Sequence, residues 1–146
     1  MRVAIAADHG GFEQKQQLIE YLENELGQEV TDYGTDSTES VDYPDFANKV
    51  AHAVSEGTAD RGVLVCGTGI GMALTADKVA GVRASSITSP EFCELFREHN
   101  NGNVVCLSGR FVSLEDNEKI VKVFLETEFA GGRHQKRVDK IMANDK

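Results

Sequence analysis

A cysteine at the mouth of a glycine-rich turn is the residue of this sequence best placed for chemistry. Residues 62–71 read Gly-Val-Leu-Val-Cys-Gly-Thr-Gly-Ile-Gly. The apolar run at 63–65 is typical of a strand buried on both faces, and helical spacing begins at about Gly71. Glycines in such a turn let main-chain N–H groups approach a ligand, and the helix N-terminus adds positive potential. That potential would hold an anion and favour the thiolate form of Cys66.

Other interpretations of this turn are weaker or stay open. No Gly-Lys-Ser/Thr follows, so the turn is not a Walker A phosphate loop. The third glycine position of the dinucleotide-binding fingerprint holds Met72 or Leu74, which excludes that motif as well. A free cysteine is also often no more than a small buried hydrophobe, and the turn alone leaves this alternative open.

Polar side chains also follow two other predicted strands. Asp8 and His9 come directly after the strand at 2–7, and Arg110 follows the strand at 104–107. Asp8 is well placed to cap the next helix, and His9 has a solvated loop position as its alternative. Ligands of open α/β sheets bind outside the carboxyl ends of the strands, so this placement favours a functional role for Cys66.

The last turn of one predicted helix carries a histidine. Phe92, Leu95, Phe96 and His99 are spaced i, i+3, i+4 and i+7, so we expect His99 to continue the buried face. A helix C-terminus stabilises a protonated imidazole, which suits a general acid. A satisfied core histidine is the alternative.

The C-terminal stretch is locally basic in an acidic chain of net charge −9. Arg133 and Arg137 lie one helical turn apart, so both can face one ligand if the helix reaches back to Arg133. Lys136 and Lys140 add to the positive charge. A phosphate clamp and a solvated basic face are both compatible with this pattern.

Strand and helix patterns alternate five times along the chain. Strands are predicted at 2–7, 29–33, 62–66, 82–87 and 104–107, and helices at 12–26, 44–56, 71–80, 90–99 and 114–128, before a short C-terminal helix. Ser89 and Pro90 are the expected N-cap and first residue of their helix. The pattern predicts a single domain, 1–146, with a three-layer α/β/α, Rossmann-like fold. Five parallel strands have helices on both faces and a C-terminal helical extension.

Bulk properties exclude several classes of protein. The net charge argues against binding of nucleic acid or anionic membranes, and no apolar run has membrane-spanning length. The three cysteines are far apart, which fits the cytoplasm, and Cys93 and Cys106 fall in apolar stretches typical of core. Asp8 comes too early for a signal peptide. The four histidines lack metal-binding spacing, so we expect no metal site.

Short motifs, taken together and in order, connect the chain to a known family. They are Asp8-His9-Gly10-Gly11-Phe12, Asp42-Tyr43-Pro44, Cys66-Gly67-Thr68-Gly69-Ile70-Gly71, Glu98-His99-Asn100, Asn103-Val104, Gly109-Arg110 and Gly131-Gly132-Arg133-His134-Gln135-x-Arg137. Over nearly its whole length the chain resembles the type B ribose-5-phosphate isomerases. That family is similar to the subunits of galactose-6-phosphate isomerase.

The resemblance implies an isomerase that interconverts ribose 5-phosphate and ribulose 5-phosphate through a cis-enediol(ate), with neither cofactor nor metal. It implies that Cys66 is the base between C1 and C2, and that Thr68 relays protons between the two oxygens. It also implies that His99, helped by Asp8, opens the furanose ring. The pocket for the oxyanion would be formed by the main-chain amides of Gly67, Thr68, Gly69, Ile70 and Gly71.

The resemblance further implies how the substrate is held. Asn100 would contact the sugar and Tyr43 would pack against it. The phosphate would be bound by His9, Arg110, Arg133 and Arg137. Members of the family are dimers or tetramers whose sites combine two subunits, so a second copy of the chain is the expected partner.

One variation within the family bears on the base. Some members replace the cysteine by a glutamate at the start of the following helix. Here that region holds Met72, Ala73 and Leu74, with no carboxylate before Asp77, so the thiolate route is the available one. Alternatives are a six-carbon isomerase, for galactose or allose 6-phosphate, and a non-catalytic sugar-phosphate sensor. A thiol-redox role lacks a resolving cysteine near in sequence.

Overall fold

The computed structural model describes residues 1–145 and contains a five-stranded parallel sheet with helices on both faces, which confirms the predicted fold class. The strands are β1 Arg2–Ala7, β2 Glu29–Asp32, β3 Arg61–Cys66, β4 Ala84–Ser86 and β5 Val104–Ser108. The helices are α1 Phe12–Glu20, α2 Tyr43–Ser55, α3 Ile70–Ala76, α4 Pro90–Asn100, α5 Leu114–Glu126 and α6 Arg133–Met142. A π-helical turn, Tyr21–Glu25, extends α1.

In the strand order β2-β1-β3-β5-β4, the helices that follow the central neighbours β1 and β3 lie on opposite faces of the sheet. One core layer joins α1, α4 and α5 to the sheet through residues such as Ile5, Val63 and Val105. The other joins α2 and α3 to the sheet through residues such as Leu64 and Cys106. Since α1 and α3 leave β1 and β3 on opposite sides, a crevice opens at the carboxyl ends of these strands.

Register aligns the ends of the three central strands. In β3, Val65 pairs with Ala7 of β1, and Cys66 pairs with Ser108 of β5. The residues that follow these strands therefore emerge side by side. The fold thus gathers the loops after Ala7, Cys66 and Ser108 at one edge of the sheet.

Two predicted elements are shorter than expected. The strand predicted at 82–87 covers only Ala84–Ser86, which pair with β5 at the edge of the sheet. The helix predicted to end at Gly81 ends at Ala76. After Ala76, the N–H groups of Lys78 and Val79 donate to the carbonyls three residues earlier in the chain instead of four. This is the tighter 3₁₀ pattern, and it ends the α-helix.

The start of α4 is confirmed by Ser89 Oγ, which accepts a hydrogen bond from the N–H of Phe92, but only Phe96 of the predicted buried face is buried. The side chains of Phe92 and Leu95 are 63% and 42% exposed, and His99 is exposed as well. The helix has a second i, i+3, i+4 stripe, and that stripe faces the core; it consists of Cys93, Phe96 and Arg97. Arg97 stays there because its Nε–H donates to the carbonyl of Thr127 at 3.0 Å.

Cys93 and Cys106 belong to the core, as predicted. Burial raises the pKa of the Cys93 thiol to about 12 and that of Cys106 well above its ordinary value. Among residues 1–145, no helix has the length and apolar character needed to cross a membrane.

Candidate active site

Three loops meet at the carboxyl edge of the sheet. The N–H of Gly109 donates to the carbonyl of Cys66 at 2.8 Å, and the N–H of Arg110 donates to that of Gly67 at 3.2 Å. A Cβ on Gly109 would lie 2.6 Å from the carbonyl oxygen of Gly10. Glycine is therefore needed where the loops touch, and the main chain itself fixes their spacing. We call Asp8, His9, Tyr43, residues 66–71 and Arg110 the carboxyl-edge cluster.

The sulfur of Cys66 lies under the N-terminus of α3. The residue is 5% exposed, and its Sγ accepts a hydrogen bond from the N–H of Gly69 at 3.1 Å. Gly69 caps the helix with φ +84°, a conformation that glycine adopts without strain. Four main-chain N–H groups around the turn make no hydrogen bond to any described residue: those of Gly67, Thr68, Gly71 and Met72. Such a row of free donors beside a sulfur suits an oxyanion.

The side chains of Thr68 and Tyr43 border this turn. Thr68 is exposed, and its Oγ1 accepts from the N–H of Ile70 at 3.2 Å. The Tyr43 ring lies against Gly71, where an added Cβ would come within 2.6 Å of the ring carbons. Pro44 occupies the first turn of α2 as predicted, and that helix start carries the ring to the site.

Asp8 and His9 shape the opposite wall. The buried Asp8 accepts from the N–H of Gly10 at 2.8 Å through Oδ1. The expectation that Asp8 caps α1 is wrong, because the N-cap is Gly11 and no side chain bonds there. Nδ1 of His9 accepts from the N–H of Val41 at 3.2 Å, which leaves Nε2 as a donor for a ligand.

Arg110 lies over the glycine turn. Its Nη1 is 3.2 Å from the position that a Cβ on Gly67 would occupy. The side chain is exposed, and no carboxylate of residues 1–145 lies within 4.0 Å of its guanidinium nitrogens. This cation is therefore available to an anion bound beside Cys66.

The remaining predicted residues lie at the opposite edge. Helix α4 begins after the carboxyl end of β4 and runs back, over about 16 Å, to the side where β5 starts. The N–H of Ala130 donates to the carbonyl of Glu98 at 3.1 Å, which ties the segment before α6 to the end of α4. We call the group at this edge the amino-edge cluster: His99, Asn100, Arg133, His134 and Arg137.

Two imidazoles stack in the amino-edge cluster. The ring centroids of His99 and His134 are 4.3 Å apart, and the rings are within 13° of parallel. Desolvation of the ring, and then the positive charges of His99, Arg133 and Arg137, lower the pKa of His134 below its ordinary value. A neutral ring is favoured at His134.

Helix α6 presents a face of unpaired cations. It begins at Arg133, so Arg133 and Arg137 lie one turn apart, as the clamp interpretation requires. These two residues line a shallow concavity together with Lys136 and Lys140. None of the four forms an ion pair within the described part of the chain. The face is suited to an anion from outside this chain.

One chain thus brings together only half of the predicted site. The carboxyl-edge cluster assembles around Cys66, while the amino-edge cluster lies across the sheet. The predicted pairing of His99 with Asp8 is not formed within one chain, nor is the complete phosphate site. Sequence reasoning gave no role to Ser108, whose hydroxyl donates to the carbonyl of Gly67 at 2.7 Å, or to His134. Ser108 directly precedes the Gly109-Arg110 motif and His134 lies within the C-terminal motif, and these positions are the signal that was available.

Known proteins match nearly the whole chain. The family model described as Ribose/Galactose Isomerase matches residues 3–141. Ribose-5-phosphate isomerase B of Escherichia coli is 44% identical over 142 residues, which cover 97% of this chain and 95% of that protein. The structure of Clostridium thermocellum ribose-5-phosphate isomerase B superposes with a TM-score of 0.96 at 45% identity, covering 98% of this chain and 96% of the other.

A third relative was solved with a sugar phosphate. The crystal structure of ribose-5-phosphate isomerase B from Mycoplasma genitalium, with bound ribulose-5-phosphate, has a TM-score of 0.93 at 44% identity. It covers 97% of this chain and 94% of its own. Together with the family model, these similarities show that the chain belongs to the ribose/galactose isomerase family.

Proposed function

We propose that this chain interconverts ribose 5-phosphate and ribulose 5-phosphate, using its own side chains and neither metal nor cofactor. The observation that carries the proposal is the sulfur of Cys66 beside four unpartnered main-chain N–H groups. Close relatives bear the name of this activity, and one was solved with ribulose-5-phosphate. Three free cysteines support a reaction in the cytosol.

The chemistry follows from the order of these groups. The thiolate of Cys66 takes the proton from C2 of the aldose and returns it to C1, while the hydroxyl of Thr68 carries a proton between O2 and O1. Of the amides at 67–71, the free N–H groups of Gly67, Thr68 and Gly71 stabilise the oxyanion of the enediolate, because those of Gly69 and Ile70 already donate to Cys66 and Thr68. General base catalysis typically contributes ~10²–10⁴ in rate, and one oxyanion donor ~10²–10³ in kcat. Neither suffices alone, and the glycine turn supplies both.

The proposal gives the two clusters different tasks. His99, with Asp8, protonates the ring oxygen to open the furanose, and Asn100 contacts the sugar beside Tyr43. The phosphate is held by His9 and Arg110 from one cluster and by Arg133 and Arg137 from the other. Holding the phosphate keeps C1 and C2 within reach of the sulfur.

We further propose that a second copy of the chain brings its amino-edge cluster to the carboxyl-edge cluster of the first. The unpaired cations of α6 and the position of His99 across the sheet support this arrangement. Large apolar side chains are exposed beside both clusters: Ile70 and Leu74 on α3, Phe92 and Leu95 on α4, and Phe111. Exposed apolar groups next to functional residues are typical of an interface.

The test is an isomerase assay with ribose 5-phosphate after EDTA treatment. We expect ribulose 5-phosphate to form at the same rate with and without EDTA, and solvent deuterium to enter at C2 or C1 by NMR in D₂O. Binding without isotope exchange would contradict catalysis and favour a sugar-phosphate sensor. The same assay with galactose and allose 6-phosphates, for which we expect lower kcat/KM, measures the preference for five carbons.

A further inference from the structure

Two side-chain amides lie behind the loop that carries Arg110. Asn117 of α5 is fully buried, and its Nδ2 donates to Oε1 of Gln14 at 2.7 Å and to the carbonyl of Ser108 at 3.0 Å. The Oδ1 of Asn117 has no partner among the described residues. Within the described residues, Asn117 therefore uses its side-chain amide only to donate hydrogen bonds.

Gln14 connects Asn117 to the loop that carries Arg110. Its Nε2 donates to the carbonyl of Val112 at 2.9 Å and to that of Gly109 at 3.3 Å. Because its Oε1 accepts from Asn117, the orientation of the Gln14 amide is set. The two residues form a chain of hydrogen bonds from α5 through α1 to the loop at 108–112, which we call the amide relay.

The same loop contacts the glycine turn on its other side. Ser108 Oγ and the N–H of Arg110 both donate to the carbonyl of Gly67, at 2.7 Å and 3.2 Å. Ser108 Oγ also accepts from the N–H of Phe111 at 3.0 Å. The loop is thus held from behind by the amide relay and in front by Gly67, and Arg110 stands at its tip.

We propose that Gln14 and Asn117 are positioning residues that hold the guanidinium of Arg110 over the glycine turn. They act through the loop at 108–112 and touch no substrate. The inference rests on the proposed function, because that function gives Arg110 its phosphate. The side-chain amide of Asn117, which is buried, donates to the carbonyl of Ser108, and that of Gln14, which is half-buried, donates to those of Gly109 and Val112. Hydrogen bonds depend on distance and angle, so they restrict the position of the loop more than apolar packing does.

Gln14→Glu is the sharpest perturbation, because it keeps the shape and replaces the donor by an oxygen. That oxygen would face the carbonyls of Gly109 and Val112, so the loop must move and Arg110 with it. We expect the Kd for inorganic phosphate, measured by calorimetry, to rise about 10-fold, with a similar rise in KM for ribose 5-phosphate. Gln17→Glu is the matched control, with the same change on an exposed face of the same helix, and its Kd should stay within about twofold.

A purely structural role predicts something else. It would lower Tm and the active fraction, while the folded enzyme kept its phosphate Kd and its KM. Positioning also predicts rescue by acid, because a protonated Glu at position 14 can donate again. The two carbonyls that face it raise its pKa above the ordinary value of about 4.3, so the ratio of variant to wild-type Kd should shrink as the pH is lowered from about 8 to about 5. Gln14→Met removes the donor without adding charge and should raise the Kd for phosphate about threefold. This variant keeps the test decisive if Gln14→Glu does not fold.

The outcomes separate this inference from the isomerase proposal. Equal phosphate Kd in wild type and in folded Gln14→Glu or Gln14→Met overturns the positioning role, as does equal weakening in Gln17→Glu. Absence of phosphate binding by the wild type overturns it too. Phosphate titration involves no turnover, so an inactive wild type would refute the isomerase proposal while the Kd ratios still decide the role of Gln14.

Discussion

The two halves of the proposed site differ in how the protein holds them. The carboxyl-edge cluster is built on main-chain groups, with Cys66 nearly buried and bonded to Gly69. The amino-edge cluster consists of side chains on α4 and α6 that are exposed except for the half-buried His134, and Arg133 and Arg137 have no ionic partner in residues 1–145. Under the proposed function, this difference means that the base and the oxyanion donors are preorganised within one chain. His99 and the arginines of α6 would reach the substrate only from a second copy.

This contrast has a physical basis. Oxyanion donors work best when they cost no reorganisation during the reaction, and backbone N–H groups at the end of a central strand satisfy that condition. Long arginine side chains lose rotamer freedom when they bind a ligand, and this loss of entropy opposes binding. Their charge-assisted hydrogen bonds to the ligand offset that loss. We therefore expect substitutions at Cys66 and in the glycine turn to lower kcat, and substitutions of the arginines on α6 to raise KM. His99 is the exception in the amino-edge cluster, because its proposed task is ring opening.

Loss of the sulfur gives the largest expected effect. Cys66→Ala should lower kcat by about 10³-fold or more, because the general base is removed, while the Kd for inorganic phosphate stays near the wild-type value. Steady-state kinetics and calorimetry measure both. Cys93→Ala is the control, since that thiol is buried far from the glycine turn and should leave kcat unchanged. Near-wild-type turnover by Cys66→Ala would exclude Cys66 as the base.

Forcing the loops apart gives the next effect. In Gly109→Ala the new Cβ meets the carbonyl oxygen of Gly10 at 2.6 Å, and neither backbone can yield without moving the loop after β5 from the loop after β1. We expect kcat/KM to fall by about 10²-fold with a lower Tm. A folded variant with wild-type kcat/KM would show that the close spacing of the loops is not needed.

Loss of one clamp residue should mainly affect binding. Arg137→Ala removes a charge-assisted contact to phosphate, so KM for ribose 5-phosphate should rise at least about 10-fold with little change in kcat. Lys122→Ala, which removes an exposed cation from α5, is the control. If KM rises equally in both variants, general electrostatic attraction rather than a clamp explains the effect.

The smallest expected effect is that of His134 on the pH dependence of stability. Its lowered pKa means that the unfolded chain takes up this proton first as the pH falls, so the group disfavours folding slightly in acid and contributes nothing above its ordinary pKa of about 6.5. NMR titration of the imidazole should give a midpoint below that value. Arg133→Gln should move the midpoint upwards by removing a nearby charge. An unshifted midpoint in both proteins would contradict the arrangement of charges at this edge.

Local signals explain what the sequence revealed. The run at 63–65, the glycines that follow it and the Ser89-Pro90 start of α4 are encoded by neighbouring residues, so the sheet, the turn and the helix start could be predicted. The face of α4 could not, because the more apolar stripe of this helix stays exposed and the stripe that turns inward includes Arg97. Periodicity does not say which stripe, that of Cys93 or that of Phe92, turns inward.

Distant contacts explain what the sequence concealed. Gln14 and Asn117 are 103 residues apart and belong to no motif, so only the packing of α1 against α5 brings the two amides together. The split between the two clusters follows from the direction of α4 relative to the strands. The resemblance predicted a site that combines two subunits, but a list of candidate residues carries no such direction and could not say which of them lie at each edge of the sheet.

Complementation between two inactive variants tests the shared site most directly. Cys66→Ala and His99→Asn should each be nearly inactive as pure proteins. When the two are co-expressed and assort at random, half of the dimers are mixed and one of their two sites is intact, so activity should return to about a quarter of wild type. A mixed preparation no more active than either variant alone, with mixed dimers verified by mass spectrometry, would contradict the assembly of one site from two chains.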